Sequence, residues 1–268
     1  ALGKEPRVLG SRWRSNWESR AVSTPTAVVI DEAPYAIAFT RAGGTPEYHS
    51  VTGERLVILS DGRFVRTRMS GTTETFDQQG RLVERDYRNG NKAIVRHGAD
   101  GRIARIEGPR GSFIQFSADT QGRVTRADTS AGASVRYAYS GDNLTEIQVN
   151  GGPVVRYVYD KSGALTRIEK PRSGAVNLVY DARQRVVSRR WADGAEERFE
   201  YDDATRAQRR INPTGAVTVT RFDQDGRRAE VIDPRGGKII IAYDANGRLE
   251  SVTDPTGKTA KADYDSLG

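Results

Sequence analysis

The chain contains no cysteine, which excludes disulfide scaffolds, thiolate metal sites and cysteine nucleophiles. Histidine is nearly absent too, with His49 and His97 the two copies. His97 falls at a strand position of the repeat described below. It reads as a packed or partly exposed side chain, without a catalytic or metal-binding role. No apolar run approaches the roughly 18 residues that a membrane-spanning helix needs, and the first residues lack the apolar stretch of a signal peptide. No GxSxG, GxGxxG, Walker A or HExxH string occurs. Asp223-Gln224-Asp225-Gly226 begins like a calcium loop but lacks the downstream acidic ligand, so it reads as a hairpin turn. No catalytic, metal-binding or cofactor-binding residue is expected, and the chain is read as a non-enzyme without cofactors.

What is present points to an all-β chain. Hydrophobic residues make up 36% and charged residues 29%, which is apolar-poor for a compact globule but not poor enough for disorder. The 28 glycines imply many turns. A net charge of +7 raises the question of nucleic acid, but the arginines are spread along the chain and interleaved with acids. That pattern reads as a solvated, arginine-rich sheet surface, and nucleic acid is not an expected partner. The chain starts at Ala1 and stops at Tyr264-Asp265-Ser266-Leu267-Gly268, inside a motif that earlier copies continue. It is therefore expected to be part of a longer polypeptide.

Internal periodicity decides the fold. Aromatic residues recur every 21 positions at Tyr159, Tyr180, Tyr201, Phe222, Tyr243 and Tyr264. Backwards from Tyr159 the register passes through Tyr139, Ala118, His97 and Phe76, with a single step of 20. Four residues after this position comes glycine in most copies: Gly80, Gly101, Gly122, Gly163, Gly226 and Gly247. Six residues after it comes an apolar residue, as at Leu82, Ile103, Val124, Leu165, Val186 and Leu249. A second turn follows, clearest at Asn212-Pro213-Thr214-Gly215, Asp233-Pro234-Arg235-Gly236 and Asp254-Pro255-Thr256-Gly257. Pro213, Pro234 and Pro255 pre-set φ near −65° at the second turn position, and the glycine supplies positive φ.

Between turns the apolar residues alternate, as in Val135, Tyr137, Tyr139 and in Val155, Tyr157, Tyr159. That period places them on one face of a half-buried strand. Each repeat is thus a hairpin, and neighbouring hairpins must pair to be stable. The expected architecture is one long curved antiparallel sheet, a partial spiral or shell. Residues 1–75 are read as an irregular β lead-in and residues 76–268 as the repeat array. Leucine-rich repeats are excluded by the missing LxxLxLxxN pattern, and helices by the frequent Gly and Pro. Copies with Thr218, Thr220, Ala260 and Ala262 at inward positions are expected to pack more loosely than residues 135–165.

The motif YDxxGR(L/V)xx(V/I)xDPxG resembles the YD repeat of the Rhs family, which also includes the C component of Tc toxins and teneurins. Leu9-Gly10-Ser11-Arg12-Trp13 resembles the segment that precedes the repeats in bacterial Rhs proteins. The resemblance implies a hollow β-sheet shell that holds a C-terminal toxin or effector domain, in a bacterial protein that is secreted or surface-associated. Implied partners are the remainder of the shell, the enclosed domain, and a secretion-system or surface component. The family's self-cleaving DPxGL segment is not matched, because Asp233 and Asp254 begin DPxG strings that continue with Gly237 and Lys258. Both read as ordinary turns. The alternative function is a surface recognition module for carbohydrate or a protein, with Trp13 and Trp17 as a ligand-stacking pair.

Overall fold

The computed structural model describes residues 9, 15–32, 35–41, 46–50, 52–244 and 248–264. They form 25 β-strands and a single 3-10 turn, Pro109–Gly111, as the alternating pattern predicts. The chain divides into two units, residues 1–154 and 155–268.

The N-terminal unit carries β1 (Arg20–Ser23), β2 (Ala27–Glu32), β3 (Tyr35–Arg41), β4 (Glu47–Ser50), β5 (Arg55–Ile58), β6 (Phe64–Thr67) and β7 (Thr73–Phe76). It continues with β8 (Leu82–Asp86), β9 (Lys92–His97), β10 (Ile103–Glu107), β11 (Phe113–Ala118), β12 (Val124–Thr129), β13 (Ser134–Ser140) and β14 (Asn143–Val149). Each strand pairs antiparallel with its neighbours in sequence. The sheet curls until β1 meets the turn before β8. There the Ala21 amide donates to the Gly80 carbonyl at 2.8 Å, the Arg20 guanidinium donates to the Gln79 carbonyl at 3.3 Å, and Arg20 bridges to Arg81. Curling gives the sheet an inside. Val28, Ile30, Phe39, Leu56, Phe76 and Leu82 are buried there, with Phe76 opposite both Phe64 and Leu82.

The C-terminal unit starts within β15 (Val154–Tyr159) and adds β16 (Leu165–Lys170), β17 (Gly174–Tyr180), β18 (Val186–Trp191), β19 (Glu196–Asp202) and β20 (Ala207–Ile211). It ends with β21 (Val217–Phe222), β22 (Arg228–Ile232), β23 (Lys238–Tyr243), β24 (Leu249–Thr253) and β25 (Thr259–Lys261). These strands also form an antiparallel meander. Period-2 alternation puts Tyr157, Ile168, Val176 and Leu178 on one face, with Ile168 opposite both Tyr157 and Val176. That face is only half-covered. Among the described residues of this unit, only Ala164 and Glu197 are buried. A single layer of sheet has nothing of its own to close against. Thr218 and Thr220 are half-buried, as are Val155 and Tyr157, whereas Ala260 on the last strand is exposed.

Many of the turns share one design. In Asp77–Arg81, the Gly80 amide donates to the Asp77 carbonyl and the Asp77 amide to the Arg81 carbonyl, both at 2.9 Å. Gly80 takes φ +77. This is a type I turn closed by a left-handed residue, the common three-residue hairpin connection. Gln184 fills the glycine position at φ +62, and its amide still donates to the Asp181 carbonyl at 3.0 Å. A side chain there carries backbone strain that glycine would not. Gln184→Gly is expected to raise stability by about 1 kcal/mol, read as a higher urea midpoint at unchanged slope; a lower midpoint would contradict it.

Candidate functional site

The repeat motif becomes a physical device once strand pairing is known. The Asp that follows the register aromatic accepts backbone N–H bonds across its turn: Asp181 Oδ1 accepts from Arg183 at 2.9 Å and Arg185 at 3.0 Å. Its Oδ2 accepts from Arg185 Nε at 2.8 Å. The guanidinium so fixed lies over the aromatic ring of the following copy, with Arg185 Cζ 4.2 Å from the Tyr201 ring centre. Tyr201 in turn donates its hydroxyl to the Val186 carbonyl at 2.9 Å, and Val186 is the apolar residue of the preceding copy.

The same clamp recurs. Arg123 lies over Tyr139, which donates to Val124, and Arg248 lies over Tyr264, which donates to Leu249. Arg227 stacks on Tyr243, and Tyr180 donates to the Leu165 carbonyl. Tyr, Asp, Arg and the apolar residue therefore recur together because each Tyr closes on the copy before it. Burial pushes the Tyr139 phenol well above its ordinary value, so it stays a donor at neutral pH. Tyr201→Phe keeps the ring under Arg185 and removes one hydroxyl bond. It is expected to cost about 1 kcal/mol, measured by denaturant unfolding; no change would mean that solvent satisfies the Val186 carbonyl equally well.

Ion pairs on the inward faces form a second feature. Glu74 stands opposite Arg66 on β6 and Arg85 on β8, and it bonds both, at 3.2 Å and 2.7 Å. The Arg66 guanidinium has no exposure, yet it also bonds Glu32 at 2.7 Å and Glu54 at 2.5 Å. Arg68 joins Glu32 and Glu74, and Arg85 lies 4.5 Å from the Trp17 ring centre. The C-terminal unit repeats the theme in small. Glu197 on β19, 1% exposed, is held between Arg189 on β18 and Arg210 on β20.

Turn carboxylates supply a pH dependence. Backbone N–H bonds from Arg185, Arg102 and Arg63 hold Asp181, Asp100 and Asp61 below the ordinary 3.8. Hydroxyl bonds from Ser162, Thr205 and Thr256 do the same first for Asp160, Asp202 and Asp254. A carboxyl whose folded value is depressed binds protons more tightly in the unfolded chain. Its contribution is complete above about pH 4 and is lost as pH falls through the folded values. The unfolding midpoint is thus expected to fall steeply below about pH 4 while changing little from pH 5 to 7 on account of these groups; a flat acid limb in a thermal-melt series would contradict this.

The other sequence-selected residues sit as follows. Phe76 is fully buried, and Tyr139, Tyr159, Tyr180, Tyr201, Phe222 and Tyr243 are half-buried on their strands, while Tyr264 is exposed. Gly80, Gly101, Gly122, Gly163 and Gly226 all have positive φ. Pro213, Pro234 and Pro255 occupy exposed turn positions. Gly247 and Trp13 lie outside the described residues, so the Trp13–Trp17 pairing is not described. Trp17 packs against the N-terminal core beneath Arg85. His97 is half-buried, and its imidazole is pushed below the ordinary range by burial and then by Arg81. Among the described residues no group of His, Asp and Glu side chains could hold a metal ion, and no helix is long and apolar enough to cross a membrane. Sequence reading missed the clamp arginine and both ion networks. The arginine was visible at a fixed place in the motif; the networks had no signal short of strand register.

Comparison with known proteins follows the same lines. Residues 173–267 match the family model described as Teneurin YD-shell. No curated protein matches the chain. Among solved structures, TcdB2-TccC3 without its hypervariable C-terminal region is 12% identical, with a TM-score of 0.48 over 100% of this chain and 17% of that one. The TcdB2-TccC3-TEV structure gives 12% identity and a TM-score of 0.48 over 85% and 16%. The Photorhabdus luminescens Tc holotoxin pore gives 12% and 0.43 over 100% and 17%. The chain therefore spans under a fifth of the length of these structures. Aromatic, Asp, Gly and Arg recur in one 21-residue register, and the part of the chain over residues 173–267 is similar to the teneurin YD shell.

Proposed function

We propose that this chain is a non-enzymatic section of a β-sheet shell that encloses a C-terminal toxin or effector domain of a bacterial, secreted or surface-delivered protein. The observation that carries the reading is the half-covered face of the C-terminal unit. Tyr157, Ile168, Val176, Leu178 and Tyr201 line a sheet with no second layer of its own among the described residues. Such a face is stable in water only when its apolar area is modest or when something lies against it. A shell interior facing an enclosed chain supplies that covering. The inter-repeat clamps suit the role, because each ties one hairpin to the next.

The test is limited proteolysis of the full-length polypeptide that carries this chain. The reading expects the C-terminal domain to resist protease until shell strands are cut. Immediate digestion of that domain in an intact shell would refute it, and binding of the chain to a glycan or surface protein would then favour the recognition reading.

A further inference from the structure

Beside the ion network of the N-terminal unit lies a cavity of about 290 Å³ whose walls include Asn16, Glu32, Arg68, Thr72, Arg85 and Tyr87. Its size is at the lower end of small-molecule sites. Two of its walls are rigid: Arg68 and Glu32 are tied to each other and to the buried Arg66 and Glu74, and Arg85 is held between Glu74 and the Trp17 ring. A ligand entering here would meet groups already fixed in place, which lowers the ordering cost of binding.

The charges cancel. Three arginines, Arg66, Arg68 and Arg85, meet three glutamates, Glu32, Glu54 and Glu74. The two arginines on the wall, Arg68 and Arg85, are already paired with Glu32 and Glu74, so an ion gains little from them. Bonding capacity is nonetheless left over. Arg68 uses Nε and Nη2 on Glu74 and Glu32, leaving Nη1. The Thr72 hydroxyl accepts from Ser70 at 3.1 Å and keeps its own proton to give. The Tyr87 hydroxyl and the Asn16 side-chain amide make no hydrogen bond among the described residues. Donors and acceptors thus share the cavity wall.

We propose that this cavity binds one small neutral polyhydroxylated molecule, of monosaccharide size, whose hydroxyls bridge Asn16, Arg68, Thr72 and Tyr87. Hydroxyls fit because each both donates and accepts, which a uniformly anionic or cationic ligand does not. The proposal is independent of the shell reading, since it concerns a site within the N-terminal unit alone.

Isothermal titration of the whole chain with glucose, galactose, N-acetylglucosamine and glycerol tests it, with glucose 6-phosphate and glucosamine as charged controls. Saturable binding of at least one neutral probe is expected, with a dissociation constant of roughly millimolar order. Thr72→Val and Tyr87→Phe, each folded by circular dichroism, are expected to weaken it about fivefold apiece. Arg235→Ala, in an exposed turn of the C-terminal unit, should leave it unchanged. Absence of saturable binding across the neutral probes would overturn the proposal. So would binding indifferent to both cavity variants, or a charged control that binds more tightly than its neutral parent.

Discussion

Arg66→Met is expected to destabilise the N-terminal unit by about 3–5 kcal/mol, the range for removing one partner of a buried ion pair. The side chain lost is fully buried and bonds Glu32, Glu54 and Glu74. Methionine fills much of the volume but returns no donor. Glu74 keeps Arg68 and Arg85, and Glu32 keeps Arg68. Glu54 fares worst, because both of its side-chain bonds come from Arg66. A carboxylate left at 11% exposure with no cation pays most of its desolvation unrewarded. The stranded charge should therefore account for much of the loss, and adding Glu54→Gln to Arg66→Met should restore about 1 kcal/mol or more. Denaturant melts of the two single variants and the double close the cycle. Strict additivity would mean that Arg66 acts through packing and not through charge.

That cluster also shows where sequence reading stops. The turns were legible because their causes are local: Asp, Pro and Gly at fixed offsets determine a hairpin wherever it sits. Strand positions were legible for a related reason, since the 21-residue register carries alternation with it. Arg66, Glu74 and Arg85 are different. They are separated by 8 and 11 residues and straddle the first register aromatic, Phe76, where the lead-in meets the repeat array. Only pairing shows that Glu74 faces both arginines, one step along from Phe64, Phe76 and Leu82. A slip of one residue would turn all three to the other side. The Arg189–Glu197–Arg210 trio was hidden in the same way, inside repeats whose motif was otherwise plain. The clamp lay between these cases. Tyr, Asp and Arg were all in the motif, but the reason for their company is a contact between one copy and the next, which no single copy displays.

Gly80→Ala is the other large effect expected, and a second glycine isolates its cause. Gly80 and Gly226 hold the same place in the repeat, at φ +77 and +78. An added methyl at Gly226 meets nothing within 4 Å. Gly226→Ala should therefore cost only the left-handed backbone penalty, about 1–2 kcal/mol. At Gly80 the methyl carbon would lie 1.9 Å from the Ala21 carbonyl oxygen, a backbone atom that has no flexible end to move aside. Strand β1 must then back away from the turn, giving up the Ala21 amide bond to the Gly80 carbonyl and the bridge between Arg20 and Arg81. Strain and lost seam together should exceed about 3 kcal/mol. Hydrogen exchange separates the two contributions: Gly80→Ala should strip protection from the Ala21 amide, whereas Gly226→Ala should leave it intact. Equal costs for the two variants, with Ala21 still protected in both, would mean that the curl is closed by the ion network and its apolar core and not by the β1 seam.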